Sequence, residues 1–257
     1  PGPARNTGAS KARGEYLLIL DSDVVVPEGY LAAVEKSLAE NPAPAFGGPD
    51  SAHQSFSTIQ KAINYAMTSF FTTGGIRGGK ERMMKFHPRS FNMGVRKDLY
   101  DSLGGFAEMR VGEDMDLCIR IFESGSTCML YRDAWVWHKR RANFKKFFKQ
   151  THSFGMARII LERRHPGTTK FVHLLPAAFV LGVVFLLAAA IICFIMGKTE
   201  VALALLSPIV LYILILFIDS FIKNHSLKVA ALSVPASFVQ LFGYGSGFFH
   251  ALFTRDR

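Results

Sequence analysis

Three long apolar segments close this chain: Phe171–Met196, Val201–Ile222 and Val229–Phe253. Each exceeds the roughly 20 residues that an α-helix needs to cross the hydrocarbon core of a bilayer. Uncharged runs of that length have few other homes, so they predict transmembrane helices. The third run carries Gly243, Gly245 and Gly247 with three serines, which predicts close helix packing or a re-entrant shape. Asp219 interrupts the second run four residues before Lys223, a spacing that suits an ion pair reaching toward the membrane surface.

Charge is distributed to match. The net charge is +10, a balance that could point to nucleic acid. Its location argues against that partner: Lys139 to Lys170 holds ten basic residues against one acid, Glu162, immediately before the first apolar run. Basic residues at that position are attracted by anionic headgroups and retained on the cytoplasmic side. Within this block, Phe144, Phe147, Phe148, Thr151 and Phe154 follow a helical face with lysines elsewhere, the pattern of a helix lying in the membrane interface. Cys118, Cys128 and Cys193 lack metal-ligand spacing and read as small buried hydrophobes. The opening PGPARNTGASKARG is polar and does not read as a signal peptide.

Residues before Lys139 have a different grammar. Tyr16–Leu20 is a short apolar run, expected as a parallel strand buried on both faces, and it ends in Asp21-Ser22-Asp23. Pro27 suits the first turn of a helix striped by Leu31, Val34 and Leu38. A strand, an acidic tip and a helix in that order belong to an open α/β sheet, where ligands bind at the carboxyl ends of strands. A helix is expected from about Phe56 to Phe71, and Thr72–Ser90, with Arg77, Lys80, Arg82, Lys85 and Arg89, reads as a glycine-rich basic loop. A short helix ending at Gly104-Gly105, a helix over Glu113–Ser124, and strands over Thr127–Tyr131 and Ala134–Trp137 complete the α/β part.

Two acidic groups carry the chemistry. Two carboxylates one residue apart at a strand's end can share a divalent cation, and hard oxygen ligands suit Mg2+ or Mn2+; a solvated turn is the plain alternative. Glu113-Asp114-Met115-Asp116 opens a helix, where the macrodipole favours acids. A carboxylate there could also accept a proton from a hydroxyl nucleophile.

Taken in order, these pieces resemble the family 2 inverting glycosyltransferases of the GT-A fold. Arg5-Asn6-Thr7-Gly8, Ala12-Arg13-Gly14-Glu15-Tyr16 and Asp21-Ser22-Asp23 match the family's A-R-N-x-G…A-x-G-E-Y…D-x-D run. Asn92-Met93-Gly94-Val95-Arg96-Lys97, Gly104-Gly105-Phe106, Glu113-Asp114-Met115-Asp116-Leu117 and Arg120 match its acceptor-side run. The basic helix and apolar segments resemble its membrane-attached bacterial members. The processive Q-x-x-R-W element is not matched by Gln150-Thr151-His152-Ser153-Phe154, which favours one sugar per encounter.

The resemblance implies an incomplete GT-A (Rossmann-like, open-sheet) α/β domain over residues 1–138, a basic amphipathic juxtamembrane region over 139–170, and transmembrane helices over 171–253. Because the family's nucleotide-binding opening should precede Arg5, an N-terminally truncated protein, inactive by itself, is expected. By the same resemblance Asp114 is the general base with Glu113 in support, and Arg5, Asn6 and Asp21 line the donor edge. Asn92 and Arg96 face the acceptor, and Asp23, Asp21 and His138 take the metal. The implied activity moves a sugar from a nucleotide-sugar donor to a lipid-linked or polysaccharide acceptor, with inversion, at the cytoplasmic face of the inner membrane. Membrane lipids are then expected partners, and nucleic acid is not. A non-catalytic membrane scaffold derived from a transferase domain, or a polyprenyl-phosphate sugar transferase, would share the same motifs.

Overall fold

The computed structural model describes residues 2–51, 56–74 and 86–254. Arg77, Lys80, Arg82 and Lys85 of the expected basic loop lie outside the described residues, as do Arg255 and Arg257. The chain divides into two units, one of residues 2–51 and 86–139 and the other of 56–74 and 140–254.

In the first unit, α1 (Gly2–Lys11) precedes β1 (Tyr16–Leu20), β2 (Val24–Val25), α2 (Tyr30–Glu40), β3 (Ala45–Gly47) and β4 (Asp50–Ser51). After the second unit's first helices come β5 (Asn92–Arg96), α5 (Lys97–Ser102), α6 (Glu113–Glu123), β6 (Cys128–Leu130) and β7 (Val136–His138). One sheet has the order β1-β5-β3-β6 and a second the order β2-β7-β4. In the larger sheet β5 runs antiparallel to β1 and β3, while β3 and β6 are parallel.

Strand alternation sorts the core into two layers. Leu17, Ala45, Met93, Val95 and Cys128 face α6, packing on Leu117, Cys118 and Ile121. On the other face Phe46 packs with Tyr30, Val34, Tyr131 and Val136. Gly94 lies opposite Phe46, where a Cβ would come within 2.1 Å of the ring, so this register admits only glycine. Cys118 and Cys128 are buried free thiols, and desolvation pushes the Cys118 thiol well above its ordinary value.

Two expectations need correction. β1 is the end strand of the described sheet and pairs antiparallel with β5, leaving Leu18 and Leu20 partly exposed. An apolar run reports average burial but not the direction of its partner, which here comes from far along the chain. Pro27 does not open α2 from within: the helix begins at Tyr30, after Gly29 in the left-handed region (φ 77°), a conformation that leaves Pro27 in the preceding turn.

The second unit is helical. The expected helix over residues 56–71 breaks in two, α3 (Thr58–Thr68) and α4 (Phe70–Thr73). Ser57 caps α3 with a reciprocal Gln60 capping box, and Ser69 caps α4, which explains the break. Then follow α7 (Phe144–Arg164), a 3-10 turn at Phe171–His173, α8 (Leu175–Ile195), α9 (Thr199–Asn224) and α10 (Leu227–Phe253). The last three, of 21, 26 and 27 residues, are long and apolar enough to cross a membrane. Their outward side chains include Phe185, Ile191, Leu211 and Ile218, all exposed, a surface suited to lipid.

Rather than offering its whole aromatic face to the interface, α7 packs Phe147 and Thr151 inside, with Phe148 and Phe154 left partly exposed. Glycines make the close contact with α10 possible: a Cβ on Gly155 would lie 2.0 Å from the Tyr244 carbonyl oxygen, and one on Gly247 2.0 Å from that of His152. Asp219 pairs with Lys223 at 2.8 Å, as its spacing predicts, and also accepts from Tyr65 Oη at 2.7 Å and Ser69 Oγ at 3.3 Å.

Candidate active site

The site forms where β1 ends, at the edge shared by Leu20, its β5 partner Asn92, and the C-terminal end of β3. Asp21-Ser22-Asp23 turns the chain there, closed by a bond from the Val24 amide to the Asp21 carbonyl at 3.3 Å. Across from it, α6 starts at Gly112 in the left-handed region (φ 82°), with Glu113, Asp114 and Asp116 in its first turn. Acids in that turn gain about 0.3–1 kcal/mol each from the macrodipole.

Arg5, on α1, joins the two acidic motifs. Its Nη2 donates to Asp21 Oδ1 at 2.7 Å and to Ser90 Oγ at 3.0 Å, and its Nη1 to Glu113 Oε1 at 2.9 Å. The guanidinium lies 5.2 Å above the Phe106 ring. Burial works against its charge, but the bonds to Asp21 and Glu113 prevail and hold its pKa above the ordinary arginine value. Beside this cluster Arg89 Nη1 lies 3.6 Å from Asp114 Oδ2.

A second cluster forms on the smaller sheet. The pairing of Val24 with His138, and of Asp50 with Val136, brings three side chains together. His138 Nε2 lies 3.6 Å from Asp23 Oδ1, and its Nδ1 3.6 Å from Asp50 Oδ2, with the ring tilted on Phe91 at 4.7 Å. His138 Nδ1 is buried and makes no hydrogen bond. The Asp23 and Asp50 carboxylates are hard oxygen donors of the kind that suits Mn2+ or Mg2+, whereas an imidazole nitrogen is a softer ligand. Among the described residues no group of three His, Cys, Asp or Glu is arranged to hold a metal. Asp23 offers one carboxylate at this edge, and a small divalent ion held there would take most of its ligands from phosphate and water.

Other residues singled out from sequence have different surroundings. Asp21 is turned to Arg5 rather than to His138. Asn6 docks α1: its Nδ2 donates to the Phe106 carbonyl at 2.8 Å, and its Oδ1 accepts from the Phe106 amide and from Tyr100 Oη. Asn92 is 1% exposed; its Nδ2 donates to the Ala134 carbonyl at 2.8 Å and its Oδ1 accepts from Tyr30 Oη at 2.7 Å. Burial pushes the Tyr30 phenol up to about 12. Arg96 lies opposite Tyr16, at the far end of β1 from Asp21, and pairs with Asp98 at 2.6 Å. It is not brought together with the acids.

Sequence reasoning missed Asp50, Ser90 and the role of Arg89. Asp50 follows an uninformative Gly-Gly-Pro run. Arg89 and Ser90 reach the site because β5 starts at this edge, which only knowledge of its antiparallel direction could have revealed.

A family described as Glycosyl transferase family group 2 matches residues 16–218. The chain is 27% identical over 175 residues to pre-mycofactocin glycosyltransferases from two strains of Mycobacterium tuberculosis, covering 66% of this chain and 36% of those proteins. It thus spans about a third of the length of these curated relatives. In fold it is similar to a mannosyltransferase from Pyrobaculum calidifontis, solved in complex with GDP-Man and Mn2+. The TM-score is 0.54 at 16% identity, over 98% of this chain and 66% of that one.

Proposed function

The chain belongs to glycosyl transferase family group 2, and from that membership we propose that it serves a metal-dependent inverting transfer from a nucleotide-sugar donor. The acceptor in this proposal is lipid-linked or a polysaccharide, and the reaction takes place at the cytoplasmic face of the cell membrane. One observation carries the reading: Arg5 bonds both to the acid that follows β1 and to the acid opening α6, so the two acidic motifs meet at one side chain. A nucleotide-sugar donor and a divalent cation are supported by the GDP-Man and Mn2+ held by the mannosyltransferase of similar fold. The membrane setting is supported by the three helices over residues 175–253.

In this mechanism Asp114 accepts the proton of the acceptor hydroxyl as that oxygen attacks the anomeric carbon. The bond from that carbon to the diphosphate breaks on the opposite face, and the configuration inverts. Asp23 and His138 would hold the cation, which supplies charge neutralisation for the departing nucleoside diphosphate. Glu113 fixes the first turn of α6 through Arg5, and Arg89 sets the position of the Asp114 carboxylate. A positioned base contributes about 10²–10⁴-fold.

The full-length protein in membranes, screened against nucleotide sugars for released nucleoside diphosphate, tests the proposal. Asp114→Asn should lose turnover by that factor while keeping donor affinity. Wild-type rates in that variant would remove Asp114 from the role of base.

A further inference from the structure

We propose that Arg5, with Asn6 beside it, is a positioning clasp that assembles the two acidic motifs into one cleft, and that Arg5 does not grip the donor. The inference rests on the transferase reading for its catalytic half only.

The guanidinium is already committed. An arginine that grips a diphosphate must present its planar fork to two phosphate oxygens. In Arg5 three of the five N–H donors are engaged, Nη1 with Glu113 and Nη2 with Asp21 and Ser90, and the plane lies over the Phe106 ring. The side chain is 17% exposed and that of Glu113 12%. A phosphate that took both ends of the Nη1–Nη2 fork would have to displace Asp21 or Ser90 from Nη2, and Asp21 is a carboxylate that the resemblance assigns to the reaction itself.

Asn6 is committed too, and by a built fit. It bonds the Phe106 backbone from both sides and takes the Tyr100 hydroxyl. Gly105 is at φ +68°, and a Cβ there would come within 2.6 Å of Asn6 Oδ1. The glycine turn is thus shaped to admit the amide. Asn6 fixes where α1 sits, and α1 fixes where Arg5 reaches.

Function follows through Glu113. Without the cation, Asp21 and Glu113 would confront each other as like charges in a partly desolvated site. The first turn of α6 would shift outward and carry Asp114 with it. A displacement of about 1 Å in a reacting group can cost on the order of 10²-fold in rate. Lysine cannot replace the bridge, because a single ammonium lacks the two-armed fork that reaches both carboxylates.

The test uses the full-length protein in nanodiscs with Arg5→Lys, Arg5→Met, Glu113→Gln and the double variant Arg5→Met/Glu113→Gln. Thermal midpoints of the four come first. The clasp predicts that the double variant falls by several degrees less than the sum of the single shifts, because both remove one contact. Additive shifts would overturn the clasp, and this readout needs no activity. If Arg5→Met does not fold, Arg5→Gln and Arg5→Gln/Glu113→Gln close the same cycle. Calorimetry with GDP-mannose and Mn2+, alongside turnover, then separates the roles. Positioning predicts a turnover loss of about 100-fold in both Arg5 variants, with donor affinity held within about threefold. A tenfold or greater loss of donor affinity, roughly 1.4 kcal/mol, with unchanged turnover would make Arg5 a donor ligand. A wild-type protein inert to every nucleotide sugar would sink the transferase reading and leave the thermal result to judge the clasp.

Discussion

Replacing Arg120 by methionine should unfold the α/β unit at a markedly lower temperature. Arg120 spans α6 and the turn before it: its Nε and Nη2 lie 2.8 and 2.7 Å from Asp116 Oδ2, while Nη1 and Nη2 donate to the Leu103 and Gly105 carbonyls at 2.6 and 2.7 Å. Asp116 is fully buried. Removing one partner of a buried ion pair costs about 3–5 kcal/mol, and each carbonyl deprived of its donor adds about 1 kcal/mol. The sum approaches the roughly 5–15 kcal/mol that holds a typical domain together. At about 2–4 °C per kcal/mol for a chain of this size, the midpoint should fall by at least roughly 10 °C. The chain has two tryptophans, Trp135 and Trp137, both in the α/β unit, so intrinsic fluorescence on heating the full protein in detergent reports this unit directly. A fall of less than about 2 °C would refute the reasoning. Asp116→Leu/Arg120→Met separates the causes: recovery identifies the buried charge as the source, since apolar pairs often replace buried ion pairs at little cost. No recovery assigns the loss to the two carbonyls.

Gly247→Val should separate α7 from α10, because the new Cβ would fall 2.0 Å from the His152 carbonyl oxygen. Overpacking of this kind typically costs about 1–3 kcal/mol, read as faster proteolysis in detergent, with Gly182→Val as the control since a Cβ there meets nothing within 4 Å. Glu162 accepts from the Gly167 and Thr169 amides, and those bonds lower its pKa to about 2. A carboxylate held below its unfolded value stabilises above that value and loses the effect as pH falls. Hydrogen exchange at the Gly167 and Thr169 amides should therefore accelerate as pH drops from about 4.5 toward about 2, after correction for the intrinsic rate. Glu162→Gln should remove that dependence, and an unchanged profile in the variant would contradict it.

The three long apolar helices were legible because their signal is one-dimensional: an uninterrupted apolar run needs no partner to declare itself. Helix starts were less legible, and the split between α3 and α4 escaped notice because Ser69 sits inside an otherwise continuous apolar period. Pairing was less legible. That β1 meets β5, with Leu20 opposite Asn92, depends on the direction of a strand more than 70 residues away, and periodicity carries no direction. The helix at Gly2–Lys11 was invisible too, since its glycines and polar residues give it no apolar stripe, and its hold on the fold comes through the bonds of Asn6 and the small side chain of Ala9.

The same division governs the site. Residue types that must sit at a strand end or a helix start, Asp21, Asp23, Glu113 and Asp114, announced themselves through local order. What each side chain touches did not. The resemblance puts Arg5 and Asn6 on the donor edge, and it says nothing of the bonds they make, Arg5 to Asp21 and Glu113 and Asn6 to Phe106 and Tyr100. A short motif reports which residues are needed together, and a polar residue is needed as much for assembling a cleft as for filling it. The two acids of α6 that look alike in sequence differ for this reason: Asp114 lies beside Arg89, while Asp116, two residues on, is turned inside to Arg120. Helical geometry makes that division unavoidable, because positions two apart point to opposite sides of the helix.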